Sequence, residues 1–294
     1  MKFNGVWPAI VTPLDENNRL LEDGARALCR HHIESGADGL YVCGSTGESM
    51  LLEKEVRKAM CEICTEEAKG KIPVIIHVGA NNLDTAKELA RHAEKCGANG
   101  IASVPPGYFS YSGKDVYNYY TALAASVDVP VMIYYVLLGG TSMEAEIFRD
   151  IYRDCDNVTS LKWTSPNFYE MMNVKTLTNG EINIMSGPDE MMVCGLAAGA
   201  DGAIGSTYNI MCRHAKSIYE SFMAGKIEDA REKQMEMNKV IRLLISTGGF
   251  HSALKYILSL QGINVGDTTY PLHQLSDTEK ETVRTKLMEL GFRY

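Results

Sequence analysis

At 294 residues the chain is long enough for one α/β barrel or for two smaller domains. Its 45% hydrophobic and 22% charged residues are ordinary globular proportions and exclude a disordered chain. A net charge of -8 without any basic cluster excludes a nucleic-acid-binding face and favours small-molecule partners.

The N-terminus, Met1 to Gly5, leads directly into a strand and leaves no room for a charged region followed by a long apolar signal core. The first strand runs from Phe3 to Val11, and an amphipathic segment of helical length follows at 22 to 35. A ten-residue pattern then occurs three times. It starts at Gly36-Ala37-Asp38-Gly39, at Gly97-Ala98-Asn99-Gly100 and at Gly199-Ala200-Asp201-Gly202, and each copy reads as a helix stop, a tight turn and a short buried strand. The intervals suit two and four strand-plus-helix units, which makes these copies strands two, four and eight.

Strands three and five are marked by Ile72-Pro73-Val74 and Val129-Pro130-Val131, with proline at the strand start where no ladder hydrogen bond is lost. Val158 to Lys162 supplies strand six and Ile182 to Ser186 strand seven. Between them lie helical segments at 53 to 69, 82 to 96, 114 to 126, 143 to 153, 166 to 178, 188 to 198 and 208 to 224. The longest apolar run, Val131 to Leu138, is far below the roughly 18 apolar residues of a membrane span. Eight continuous apolar strands that need cover on both faces specify a closed parallel barrel, and no glycine-rich dinucleotide turn follows the first strand. The expected fold class is therefore α/β, a (β/α)8 TIM barrel over residues 1-224 that carries the active site. A C-terminal helical extension, 225-294, is expected to pack on it, with helices at 226 to 246, 249 to 260 and 276 to 290.

The eight cysteines are scattered through helix-like and strand-like segments, which fits reduced thiols in a cytoplasm. Cys61 and Cys64 have metal-like spacing but lack a second pair, and the histidines lack partners at metal spacing, so no metal site is expected.

In a barrel of this kind the reacting groups sit at strand C-terminal ends. That rule selects Gly44-Ser45-Thr46-Gly47-Glu48 after strand two, Tyr134 or Tyr135 after strand five, Lys162 after strand six, and Gly187-Pro188-Asp189-Glu190 after strand seven. The first stretch can cradle an anion or simply turn and cap a helix, and the two carboxylates can simply cap the next helix. Lys162 closes a short strand-like run and precedes a Trp. A desolvated amine offers the nucleophilic neutral fraction that Schiff-base chemistry needs, although a lysine snorkelling from a strand end leaves the same pattern.

Taken together these residues resemble the N-acetylneuraminate lyase branch of the pyruvate-dependent class I aldolases, which also contains dihydrodipicolinate synthase. Gly44 to Glu48 and the segment Gly195 to Met211 are especially similar to the sialic acid lyases, and the likeness runs through almost the whole chain. The resemblance implies a homotetramer, a dimer of dimers, that uses no metal or organic cofactor. It makes Lys162 the Schiff-base lysine and Tyr134 the proton-transferring tyrosine, with Tyr135 a bystander. Ser45 and Thr46 are implied to hold the carboxylate of the 2-oxo acid. Thr46 is also implied to link Tyr134 to Tyr108, a tyrosine inserted across a subunit contact. Thr164, Gly187, Asp189, Glu190, Gly205 and Ser206 match positions that hold the sugar chain or product.

The segment Tyr135 to Thr141 departs from the lyase pattern, and Gly139 stands where synthases carry an arginine. The expected reaction is cleavage of N-acetylneuraminate to pyruvate and N-acetylmannosamine. The alternatives are a related pyruvate aldolase or synthase using another aldehyde, or a non-catalytic pyruvate-binding sensor.

Overall fold

The computed structural model describes residues 2–136 and 143–293. Gly139 and Thr141, on which part of the sequence comparison turns, lie outside the described residues.

The chain alternates strand and helix through eight units, β1 (Gly5–Pro8), α1 (Glu22–Glu34), β2 (Leu40–Val42), α2 (Lys54–Ala68), β3 (Val74–His77), α3 (Leu83–Lys95), β4 (Gly100–Ser103), α4 (Gly113–Ala124), β5 (Val131–Val136), α5 (Ala145–Asp154), β6 (Val158–Thr164), α6 (Phe168–Leu177), β7 (Asn183–Ser186), α7 (Met192–Ala197), β8 (Gly202–Gly205) and α8 (Tyr208–Met223). Every adjacent strand pair is parallel, in the order β1-β8-β7-β6-β5-β4-β3-β2. A parallel bridge between Ala9 and Tyr41, with the Ile10 N–H donating to the Tyr41 carbonyl at 3.0 Å, brings the first and second strands together. The expected TIM barrel is therefore present.

The thrice-repeated pattern has a local physical cause. Gly36, Gly97 and Gly199 all take left-handed backbone (φ 81°, 83° and 98°), which ends the preceding helix at no steric cost. The next residue's N–H then reaches back to the fifth residue upstream, Ala37 to His32, Ala98 to Ala93 and Ala200 to Gly195. The acidic or amide residue that follows accepts an N–H from the start of a neighbouring strand: Asp38 from Val6, Asn99 from Val74 and Asp201 from Ile184. One short motif thus stops a helix and pins the register of the sheet.

Period-two alternation splits the apolar residues into two cores. Trp7, Tyr41, Ile75, Ala102, Met132, Tyr134, Met185 and Ile204 fill the barrel, while Val6, Leu40, Ile76, Ile133, Leu161, Trp163 and Ile184 face the helices.

Three elements differ from expectation: the first strand, expected over Phe3 to Val11, is the shorter Gly5–Pro8. β6 continues past Lys162 to Thr164 because Tyr135 and Val136 of β5 pair with Trp163 and Thr164. The expected helix 188 to 198 is a 3-10 turn at Asp189–Met191 followed by the short α7.

The remaining helices, α9 (Ile227–Ser246), α10 (Phe250–Leu260) and α11 (Asp277–Glu289), pack on α8 and on one another. Their buried Met237, Leu244, Leu254 and Val283 join the same outer core as Ile218 of α8. Ser276 and Glu279 form a capping box that starts α11. Among the described residues no helix is long and apolar enough to cross a membrane.

Candidate active site

Lys162 is the one lysine on any strand of the described residues. Alternation along β6 turns Trp163 outward and Lys162 into the barrel, where it is 5% exposed. Its Nζ lies 4.2 Å from the ring centre of Tyr134 and 4.3 Å from that of Tyr41. It has no ion-pair partner among the described residues and rests against two aromatic faces.

Tyr134 is the register partner of Lys162 across the β5–β6 pair and faces the same interior. Burial pushes its hydroxyl up, but the ammonium of Lys162 and the hydroxyl of Ser45 outweigh that and leave it below the ordinary tyrosine value. The Ser45 Oγ lies 3.5 Å from the Tyr134 hydroxyl oxygen. Tyr135 is one residue on and therefore turned outward, where it stacks on Trp163 at 4.4 Å and meets Phe148 at 5.4 Å.

Sequence reasoning passed over two further members of this interior. Tyr41 and His77 surround the same space, with ring centres 6.0 Å and 5.9 Å from that of Tyr134. The Val104 N–H donates to His77 Nε2 at 3.1 Å, so that nitrogen is unprotonated and the ring is neutral. Burial, then the nearby Arg57 and Lys162, hold His77 well below the usual histidine range. Arg57 is itself buried and donates to the His77 carbonyl at 3.0 Å. The available signal was a polar residue at an inward position of an apolar strand, which a packed core histidine leaves equally well. The Tyr41 hydroxyl, Ser160 Oγ and Thr164 Oγ1 are buried without a partner among the described residues, so the interior offers polar groups to a ligand.

The loop after β2 forms the rim. Cys43 and Glu48 both take left-handed backbone (φ 57° and 59°) although neither is glycine, a strained state that needs support from its surroundings. The support is visible. The Glu48 carboxylate is buried against Lys255 of α10, Nζ to Oε1 2.8 Å, and its other oxygen accepts the Thr269 N–H at 2.7 Å. The backbone N–H groups of Ser45 and Thr46 have no acceptor among the described residues, whereas those of Glu48 and Ser49 are satisfied within the turn. Two free donors beside the exposed Ser45 hydroxyl fit a carboxylate. This cradle does not open a long helix: a single 3-10 turn, Ser49–Leu51, precedes α2.

Other predicted residues fall into distinct positions. Thr46 Oγ1 is 2.6 Å from Ser206 Oγ, joining the rim after β2 to that after β8. In this chain the hydroxyl at hydrogen-bond distance from Tyr134 is therefore Ser45, and Thr46 is engaged elsewhere.

Asp189 Oδ2 accepts both the N–H and the hydroxyl of Thr207 at 2.6 Å, which fixes the start of α8. Burial raises its carboxyl to about 6 against the pull of those two bonds. Gly205 lies against it, since a Cβ there would sit 2.4 Å from Asp189 Oδ1. Gly187 is required by Thr164 in the same way, at 1.9 Å from its Oγ1. Glu190 is exposed, and its side chain has no partner among the described residues. Tyr108, on the loop between β4 and α4, is 81% exposed with its ring against that of Phe109, and among the described residues no hydrogen bond joins it to Tyr134 or Thr46.

The chain matches the Dihydrodipicolinate synthetase family over residues 2–290. It is 33% identical to N-acetylneuraminate lyase of Clostridium perfringens over 294 residues, 99% of this chain and 100% of that one. Among solved structures, the wild-type sialic acid aldolase of Ruminococcus gnavus superposes with a TM-score of 0.95 at 32% identity, covering 99% of this chain and 98% of that one. A prophage protein of the dihydrodipicolinic acid synthase family from E. coli K12, solved in complex with pyruvate, superposes with a TM-score of 0.93 at 25% identity over 99% of both chains. A barrel with a buried strand lysine and tyrosine facing one polar interior, matched end to end by these relatives, belongs to the dihydrodipicolinate synthetase family and is an enzyme of the aldolase, or carbon–carbon lyase, type.

Proposed function

We propose that the chain is a class I pyruvate-dependent aldolase that cleaves N-acetylneuraminate to pyruvate and N-acetylmannosamine through an imine on Lys162. The observation that carries this reading is the pairing of the buried Lys162 amine with Tyr134, whose hydroxyl has a lowered proton affinity, on register-matched positions inside the barrel. The free Ser45 and Thr46 N–H groups and the Ser45 hydroxyl receive the carboxylate of the 2-oxo acid, which sets its ketone toward Lys162. The amine attacks C2 and water leaves. The iminium then draws electrons from the C3–C4 bond as Tyr134, assisted by the substrate carboxylate, removes the proton of the C4 hydroxyl. The aldehyde departs, the enamine is protonated at C3, and water releases pyruvate. The residues perform each step without a cofactor.

Glu190, and the edge of Asp189 not occupied by Thr207, serve the hydroxyl chain, together with Thr164, Gly187, Gly205 and Ser206. The exposed Tyr108 and Phe109 belong on this account to a subunit contact of a homotetramer built as a dimer of dimers, with Tyr108 completing the partner's site. The enzyme then works in the cytoplasm on small molecules.

Turnover of a panel of 2-oxo sugar acids, read as pyruvate released, tests the reading. Fastest cleavage of N-acetylneuraminate supports it. Faster condensation of pyruvate with aspartate semialdehyde would replace it with a synthase, and pyruvate binding without any cleavage would replace it with a sensor.

A further inference from the structure

We propose that Cys61, His92 and Cys96 form a binding site for a thiophilic divalent cation of the zinc type, clamping α2 to α3 on the outside of the barrel. Cys61 comes from α2, while His92 and Cys96 lie four apart at the end of α3 and so share one face of it. Their ligand atoms all lie within 4.8 Å of one another. Cys96 Sγ is 3.5 Å from His92 Nε2, and Glu62 Oε1 is 3.1 Å from the same nitrogen, which makes that carboxylate the candidate fourth ligand.

A tetrahedral ion with metal–sulfur bonds of about 2.3 Å and metal–nitrogen bonds of about 2.0 Å sets a sulfur–nitrogen edge of roughly 3.5 Å, and a nitrogen–oxygen edge only slightly longer than the one found. Two sulfurs, an imidazole and a carboxylate are a donor set that suits zinc rather than magnesium or calcium. This corrects the sequence expectation that the histidines lack partners at metal spacing, because the partner of His92 is a cysteine on its own helix.

The neighbouring groups fit the same reading. Cys64, which spacing pairs with Cys61, turns away and puts its Sγ 3.3 Å from that of Cys29 in the core. Cys61 is buried and its two partners are half-buried, so the inner ligand is shielded while a route in from solvent remains. That route is a surface depression lined by Glu62, Thr65, Glu66, Lys69, Lys95 and Cys96. Binding converts both thiols to thiolates and releases two protons to the buffer for each ion. Barrel helices run against their strands, so the end of α3 lies toward the face opposite the mouth that Lys162 serves. The ion is therefore a staple between helices and leaves the chemistry alone.

Cobalt(II) titration of the reduced, metal-free full-length protein is the test. One equivalent should bind with a thiolate-to-metal charge-transfer band and the intense visible bands of a tetrahedral centre, and zinc should displace it. Cys96→Ser and His92→Ala, both at half-buried positions, should each lose that band and bind cobalt at least tenfold more weakly, as measured by titration. Cys64→Ser and Cys194→Ser should keep it. Zinc should raise the melting temperature of wild type but not of Cys96→Ser, with kcat unchanged in both. The absence of a charge-transfer band in wild type, or a band of full strength in both Cys96→Ser and His92→Ala, overturns the site.

Discussion

Replacing Lys255 by Met would strand a carboxylate beneath the rim of the barrel. The Glu48 and Lys255 side chains are both fully buried, 2.8 Å apart, and Lys255 Nζ also donates to the Asp267 carbonyl at 2.7 Å. Burial lowers the proton affinity of Lys255 against the pull of Glu48. Breaking a buried pair by removing one partner costs about 3–5 kcal/mol, because the remaining charge is left uncompensated in the core. Lys255→Met should lose stability on that scale in urea unfolding. It should also lose kcat/KM well below its transition, since Glu48 holds the left-handed turn that presents Ser45 and Thr46. Lys54→Met removes an exposed pair with Glu88 and should barely move the midpoint. The double variant Glu48→Gln/Lys255→Met, which strands no charge, should recover much of the lost stability. If Lys255→Met unfolds no earlier than Lys54→Met, or if the double variant is no better than the single, the ion pair does not hold the rim.

Tyr134→Phe should lower kcat roughly 100-fold, the scale for losing a positioned proton-transfer group, while the outward-facing Tyr135→Phe should do far less; the reverse order in steady-state assays would refute the assignment. Glu190→Gln should reduce kcat/KM for the sugar acid about tenfold and leave imine formation from pyruvate unchanged in a trapping assay, because pyruvate has no hydroxyl chain. For Asp189, burial raises the folded carboxyl to about 6 from an ordinary value near 3.8, so its contribution to stability is fullest below the lower value and is lost as pH rises through the upper one. Urea midpoints of wild type relative to Asp189→Asn should therefore fall between these two values, and a rise would contradict the burial argument.

The barrel was legible because its signals are local. A left-handed glycine, a strand-capping acid or amide and a short apolar run recur three times, at Gly36, Gly97 and Gly199, and each carries its own physics. The inward direction of Lys162 and Tyr134 follows from period two once the strands are placed, though family resemblance was needed to choose Tyr134 over Tyr135. The rest of the site depends on closure. Thr46 meets Ser206, and Glu48 meets Lys255, only after the last strand and α10 return to the loop after β2. Tyr41 and His77 were hidden because an inward polar residue on a buried strand looks the same whether it packs or serves a ligand. Cys61 was read with its sequence neighbour Cys64, whereas folding gives it to His92 and Cys96 on the adjacent helix.

The central claim is an imine between Lys162 and the ketone of a 2-oxo acid. Borohydride added with pyruvate should inactivate the enzyme irreversibly, and peptide mass spectrometry should find one reduced adduct, on Lys162, that is absent without pyruvate. Lys162→Ala should fold, fail to turn over and take up no adduct. An adduct on any other lysine, or full activity after borohydride and pyruvate, would contradict the account.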